Sequence, residues 1–378
     1  MGIRDLDGYY TVVFEVIFHV ITTIDRGGAE NQLLMLAKQQ IIQNFEVHVF
    51  DLKGNSELEN EFLEIGVHVR HELINKPTFI QGLILRKLVS EQPKEVLVHA
   101  HLPQAEIVAS IAKGRQSHLV TSRHFGGRFK PSSNLLISSI LGILASIRAD
   151  RIIAISNSVQ DVLKSNKEVS RLSKIEVIHY GIDVDFFLTQ KTVKDHLPLG
   201  APITIGTISR LSPEKNVDLI LKMYAELSKE VELGDLRIVG VGPLENELKA
   251  LAQKLGIEER VNFLGKRSDI PEQFSELDVF VLASSFEGFG MVLLEAMAMG
   301  VRIVASRNSA IMEIIDGTVS GVLFETNDLI DFKDSIMQVL AQDYDLMVQA
   351  QTATLSKFKI ESNANKILVL YKTICHCS

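Results

Sequence analysis

The chain has 378 residues, 46% of them hydrophobic and 23% charged, with a formal net charge of −8 at pH 7. That length argues for two domains, and the composition excludes a disordered or collagenous chain and a small stapled module. The acidic balance excludes a general nucleic-acid binder, which needs a basic footprint.

At the start, Asp5 and Asp7 outweigh Arg4, and Glu15 and His19 interrupt the apolar stretch that follows. No signal peptide is expected, the mature chain is expected to begin near Met1, and residues 1–15 read as an extension of unassigned role. Short apolar runs rich in β-branched residues then recur at Val16–Thr22, Phe45–Asp51, Val96–His101, Leu119–Ser122, Ile152–Ser156, Ile203–Ile208, Leu236–Val241, Val261–Leu264, Val279–Ala283 and Val301–Ala305. Each is followed by a turn and a helical pattern. Strands apolar along their whole length are buried on both faces, and alternation with helices means parallel sheets with helices outside. The fold class is α/β, in two doubly wound domains expected to face one cleft. Pro198, Gly200 and Pro202 close a polar stretch without clear period, so the break is expected between Asp183 and Pro202. The domains are set at 1–187 and 188–357, with a helix over 358–378 expected to pack back toward the N-terminal domain. Leu135–Ile147 is the most apolar stretch, and its thirteen residues are too few to span a bilayer. The only cysteines, Cys375 and Cys377, lie in the last four residues, so a reducing, cytosolic compartment fits.

Ligands in such sheets bind beyond the carboxyl ends of the strands, so the turns there carry the candidate chemistry. In the first half, Gly27 and Gly28 stand between a strand and a helix, where paired glycines let backbone approach a partner. Neither Gly27-Gly28 nor Gly240-Val241-Gly242 completes Gly-x-Gly-x-x-Gly, which argues against dinucleotide binding. His99 and His101 face one side of their strand, but no third metal ligand sits nearby in sequence. His124 follows the strand ending at Ser122. Between Ile107 and Ala149 there is no carboxylate, whereas Lys113, Arg115, Arg123, Arg128, Lys130 and Arg148 are basic. That stretch reads either as solvated loops or as a surface for an anionic acceptor or lipid. Asp183-Val184-Asp185 mimics a metal-binding Asp-x-Asp in a context that does not suit one, and Cys375-His376-Cys377 reads as inert at a chain end.

In the second half, Arg210 and Lys215 leave the turn after Ile203–Ile208, two cations suited to a diphosphate. After Val279–Ala283 comes Ser284-Ser285-Phe286-Glu287-Gly288-Phe289-Gly290-Met291 and a helix carrying Glu295. Gly288 and Gly290 permit a tight turn, and the helix start offers free amides to a phosphate. Carboxylates are natural partners for diols, whose hydroxyls donate to both oxygens. Cations and amides for a diphosphate, with Glu287 and Glu295 for hydroxyls, describe a sugar nucleotide.

The segments Gly206–Asn216, Val239–Pro243, Val261–Gly265 and above all Glu287–Gly300 resemble the retaining glycosyltransferases of family 4, with their GT-B fold of two Rossmann-like domains. Glu287 and Glu295 match that family's Glu-x7-Glu donor signature. The resemblance implies that Glu287 holds hydroxyls of the transferred sugar, Glu295 the ribose, and Arg210 and Lys215 the diphosphate. It implies that the backbone of Gly288, Phe289, Gly290 and Met291 closes over phosphate, that Gly27, Gly28 and Gly242 adjoin the donor, and that Lys266 and Arg267 meet the base. His101 would approach the transferred sugar and stabilise charge, and His124, Arg123 and Arg128 would bind the acceptor. Asn216 stands where glycine is common, Ala283 and Arg302 where proline is, and Asn308-Ser309-Ala310 replaces a small glycine turn. The expectation is a metal-independent transferase without cofactor. It moves a hexose or N-acetylhexosamine from a nucleotide diphosphate donor, UDP before GDP, to a glycan or lipid-linked acceptor in cell-surface polysaccharide or lipopolysaccharide synthesis. Domain closure would exclude water, and the chain would be cytoplasmic, with peripheral contact to the inner face of an anionic membrane. An epimerase or phosphorylase on the same architecture and a non-catalytic nucleotide-binding regulator are the alternatives.

Overall fold

In the computed structural model, residues 14–54, 56–127, 129, 134–191, 201–315 and 319–375 are described. The chain forms two compact units, one running through Gly181 and completed by the helix Ile360–Cys375, the other spanning Ile182–Lys359. In the first unit lie β1 (Val16–Ile21), β2 (Glu46–Asp51), β3 (His68–Arg70), β4 (Val96–His101), β5 (Ser117–Arg123), β6 (Arg151–Ala154) and β7 (Ile175–Val177). They form one parallel sheet in the order β3-β2-β1-β4-β5-β6-β7. The second unit holds β8 (Ile203–Ile208), β9 (Leu233–Val239), β10 (Val261–Gly265), β11 (Val279–Leu282), β12 (Arg302–Ser306) and β13 (Val322–Phe324), also parallel, in the order β10-β9-β8-β11-β12-β13.

Both sheets are doubly wound, and in each the order reverses beside the first strand, between β1 and β4 and between β8 and β11. That reversal opens a crevice beyond the carboxyl ends of the strands. Continuous burial explains the strands: β1, β4, β5 and β11 are buried at every position. The helix Ile360–Cys375 belongs to the first unit because Ile367, Leu368, Tyr371 and Ile374 pack with Phe14, Ile17, Leu36 and Leu97. Gln32 Nε2 also donates to Asn363 Oδ1 at 3.1 Å.

The units divide at Gly181 rather than at the expected 187, because the helix Val184–Gln190 packs on the helix Met291–Met299 of the second unit. Asp183 caps the former, accepting from the Phe186 amide at 3.0 Å, which is the work of the Asp-x-Asp lookalike. The polar segment 192–200 lies outside the described residues. Strands β3, β7 and β13 span three residues each, too short to carry a period in sequence. Among the described residues no helix is long and apolar enough to cross a membrane.

Candidate active site

In the second unit, the turn after β8 contains a 3-10 turn at Pro213–Lys215, and Asn216 follows in the left-handed region at φ 48°. Glycine is common at such positions, and asparagine is the residue that tolerates the conformation best after it, so this departure preserves the backbone. The turn is bound to its neighbours. Leu211 N donates to Val241 O at 3.1 Å, Leu244 N to Leu211 O at 3.1 Å, and Gly240 N to Gly265 O at 2.8 Å. A Cβ at Gly242 would lie 2.2 Å from Leu211 O, and one at Gly240, where φ is +131°, 1.9 Å from Ser209 O. No other residue fits at either position.

On the other side, Ser285 N donates to Glu214 O at 2.8 Å, bringing the β11 turn against the β8 turn. The result is a three-way contact in which Lys215 Nζ donates to Glu287 Oε1 at 2.6 Å and Ser284 Oγ to the same oxygen at 2.7 Å. Glu287 is 8% exposed. Ser284 is fixed in turn, its carbonyl accepting from Ser306 Oγ at 2.5 Å and Asn308 Nδ2 at 3.0 Å. Asn308 thus replaces the glycine turn with a side chain that ties β12 to the site. Arg210 is exposed. Gly290, at φ 95°, opens the helix Met291–Met299 with no side-chain cap, and in its first turn Leu293 N donates to Gly290 O at 2.9 Å. Phe289 is buried, its ring edge-on to Phe358 with centroids 5.6 Å apart, and so anchors that loop. Glu295 is partly accessible, and burial of its carboxyl pushes its pKa up to about 7.

In the first unit, Gly27 opens the helix Gly28–Ile42, and a Cβ there would lie 2.6 Å from Glu30 Oε2. The Glu30 carboxyl accepts from its own amide and the Thr23 hydroxyl, and burial raises its pKa. At the ends of β1, β4 and β5 lies a hydrogen-bonded run of imidazoles. Gln40 Oε1 meets His19 Nε2 at 2.8 Å, His19 Nδ1 meets His101 Nε2 at 2.9 Å, and His101 Nδ1 meets His124 Nε2 at 2.9 Å. His124 Nδ1 ends the run at the Tyr180 hydroxyl. One proton per ring satisfies every link, and with Gln40 Oε1 accepting, each sits on Nε2. Beside them His99 bonds the Tyr371 hydroxyl at 2.6 Å and Ser122 Oγ at 2.7 Å. Burial holds all four rings neutral, with His19 at about 4, His124 at about 3, and His99 and His101 well below 6.5. Leu102, next after His101, has φ 74° and ψ 152°, a conformation that side chains rarely adopt.

Two family models match adjacent parts of the chain: Glycosyltransferase Family 4 over residues 26–186 and Glycosyl transferases group 1 over residues 189–355. The chain is 31% identical to N-acetyl-alpha-D-glucosaminyl L-malate synthase of Bacillus anthracis, over 73% of each chain. The chain belongs to glycosyltransferase family 4. It is also 26% identical to D-inositol 3-phosphate glycosyltransferase of Mycolicibacterium smegmatis, over 92% of this chain and 87% of that one. Among solved structures, Anabaena HepE with UDP and glucose has a TM-score of 0.78 at 23% identity, covering 94% of this chain and 99% of that one. Both units of this glycosyltransferase are thus the Rossmann-like halves of a GT-B enzyme.

The structure sorts the predicted residues of this glycosyltransferase. It brings Lys215 and Glu287 together and keeps the amides of Gly288 to Met291 beside them along the chain. Lys266 is exposed on the turn after β10, and Arg267 pairs with Asp269 at 2.5 Å. Arg123, expected at the acceptor, is instead buried in an ion-pair cluster: it is 3% exposed, with Nε on Glu106 Oε1 at 2.9 Å and Nη1 on Glu168 Oε2 at 2.7 Å. A guanidinium in the interior has to be paired, and these two carboxylates account for it. Arg128 and Lys130 lie outside the described residues, as do His376 and Cys377. Cys375 is buried, its thiol pushed up to about 12, so it carries no thiolate. His101 is 2% exposed with both ring nitrogens engaged, so contact with a sugar requires one of those bonds to open. His124, partly accessible, is the member of the run that reaches the surface. A third imidazole does stand beside His99 and His101: His19, in register with His99 across β1 and β4, puts the three within 4.8 Å. Spacing within one strand could not reveal that cross-strand neighbour.

Proposed function

We propose that this glycosyltransferase moves a hexose or N-acetylhexosamine, with retention of configuration and without a metal, from a nucleotide diphosphate sugar to a glycan or lipid-linked acceptor. The second unit holds the donor and the first unit the acceptor. The observation that carries the reading is the contact of Lys215, Ser284 and Glu287 at the reversal point of the second sheet. An ammonium and an uncapped helix start offer positive ends to a diphosphate, and Glu287 and Glu295 offer oxygens to hydroxyls. Arg210, exposed on the same turn, adds a second cation, so the leaving phosphate is stabilised by side chains and the helix end. Its oxygen takes the acceptor proton in a front-face transfer. In the first unit, His101 and His124 act on the acceptor side as neutral imidazoles, positioning by hydrogen bonds. Lys266 meets the base.

UDP is the first base to test, being the nucleotide held in the Anabaena structure, and GDP the second. We place the work in cell-surface polysaccharide or lipopolysaccharide synthesis, in the cytoplasm with peripheral contact to the inner membrane face. Thermal stabilisation by UDP, GDP and ADP tests the donor site, since a ligand at 100 times its dissociation constant adds about 2.7 kcal/mol. The expected result is a Tm rise with one nucleoside diphosphate that shrinks in Lys215→Ala. No rise with any of the three refutes the donor site.

A further inference from the structure

The helix Leu135–Arg148 is built inside out. Its buried face consists of Ser138, Gly142, Ala145 and Ser146, whereas Leu136, Ile140, Leu144 and Ile147 are 69%, 48%, 56% and 54% exposed. These four recur at the spacing of one helix face. A helix on the surface of a protein bathed only in water buries its large aliphatic side chains. Here the small face is fixed instead: a Cβ at Gly142 would lie 2.8 Å from the Glu168 carbonyl oxygen, Ser138 Oγ donates to Glu168 Oε1 at 3.0 Å, and Ser170 N donates to Ser146 Oγ at 2.8 Å. Rotating the helix to hide the aliphatic face would break all three contacts. Leu172, 59% exposed on the adjoining turn, follows exposed Arg171.

At the carboxyl end of this helix lies a cavity of about 450 Å³, lined by Lys113, Arg148, Arg151 and Lys174 with one carboxylate, Asp150. Asp150 is occupied, paired with Lys113 and accepting from the Leu119 amide at 2.8 Å. Lys174 caps the helix, donating to the carbonyls of Ile147 at 2.9 Å and Ala149 at 2.6 Å. The lining residues stand at the amino ends of β5, β6 and β7, the sheet edge opposite His101 and His124. The cavity is therefore separate from the acceptor turns.

We infer that the outer face of the helix Leu135–Arg148 and the basic cavity at its end form a docking surface for an anionic phospholipid bilayer, with aliphatic side chains entering the interface and the cavity receiving a phosphate headgroup. The inference rests on the peripheral-membrane part of the reading above and gives it a location. Fourteen helical residues at 1.5 Å each give a stripe about 20 Å long, suited to lying in the interface plane. Net positive charge around an apolar stripe complements anionic lipid, whereas a second copy of this chain would bring like charges together.

The test is sedimentation of the full chain with vesicles of equal parts phosphatidylglycerol and phosphatidylcholine, and with phosphatidylcholine alone. The wild type should bind the anionic vesicles, weaken with salt, and leave neutral ones at least about tenfold less occupied. Ile140→Glu with Leu144→Glu should abolish binding. Arg148→Ala with Arg171→Ala should weaken it by about fivefold per cation removed, about 1 kcal/mol each. All four side chains are exposed, so an unchanged melting curve confirms folding. No binding to anionic vesicles, equal binding by the variants, or a dimer in light scattering that the Ile140→Glu, Leu144→Glu pair dissolves would each overturn the inference. A Tm rise with UDP, GDP or ADP but no vesicle binding refutes the docking surface alone, and vesicle binding without a rise from any of the three refutes the donor site alone.

Discussion

Lowering the pH should loosen the first unit before the second, because four neutral imidazoles are buried in it. A histidine whose folded pKa lies below its unfolded value binds fewer protons when folded. Its contribution is therefore whole above pH 6.5 and is lost as the pH falls toward the folded pKa. His19 at about 4 and His124 at about 3 each lose about 2 kcal/mol between pH 7 and pH 5, about 4 kcal/mol together. His99 and His101 act in the same direction. Glu30, raised by burial, opposes them and offsets part of the loss. Against a typical total of about 5–15 kcal/mol, the sum is a large fraction. The second unit has the opposite sign. Glu295, raised to about 7, costs the fold its full penalty above pH 7 and is relieved as the pH falls toward its unfolded value.

Hydrogen exchange separates the two, because protection factors can be read on peptides of each sheet. Peptides of β1 and β4 should lose protection between pH 7 and pH 5, with those of β8 and β11 holding or gaining it. Replacing His19 by Asn removes one titrating group and should flatten the slope in β1 and β4 by about 2 kcal/mol, whatever it does to stability at pH 7. Equal loss in both sheets, or an unchanged slope in His19→Asn, would refute the claim that the imidazoles are buried and neutral.

Arg123→Ala leaves the buried Glu106 and Glu168 without their cation and should cost about 3–5 kcal/mol in a thermal melt; a variant of normal Tm with a raised acceptor KM would restore Arg123 to the acceptor site. Arg210→Ala should weaken nucleoside diphosphate binding by about 1–3 kcal/mol at unchanged Tm, and Lys215→Ala should do the same while also loosening Glu287, both read by calorimetry. Unaltered affinity in both would remove the phosphate assignment. In the proposed donor site, ribose hydroxyls that donate to Glu295 would favour its ionised form, so nucleotide affinity should fall about tenfold per pH unit below 7 with proton release on binding, and Glu295→Gln should flatten that dependence. A slope that survives the substitution assigns the proton to another group.

Strand existence is readable because burial on both faces writes an unbroken apolar run, and all ten expected runs share their core with an observed strand without any need of tertiary information. The run Leu236–Val241 extends too far, since Gly240 at φ +131° cannot continue a strand although Val241 is apolar. Likewise the turn after β11 announced itself through Glu287, Gly288 and Gly290 at fixed offsets. Arg123 was misread because charge was counted along the chain, whereas its partners Glu106 and Glu168 stand 17 and 45 residues away. His19 was passed over for the same reason, since only the register of β1 against β4 sets it beside His99 and His101.

By hydropathy alone the aliphatic side chains of the helix Leu135–Arg148 belong inside and its serines outside. Packing reverses both roles, because Glu168, already committed to Arg123, needs the Ser138 hydroxyl and can be approached only by a residue as small as Gly142. The buried ion pair thus dictates which helix face points inward, and the aliphatic side chains are left outside as a consequence. One prediction couples the two features: Gly142→Leu should push the helix off Glu168, destabilise the first unit and disturb vesicle binding together, whereas Ile140→Glu should affect vesicle binding alone. If Gly142→Leu melts like the wild type, the close packing against Glu168 does not hold that face in place.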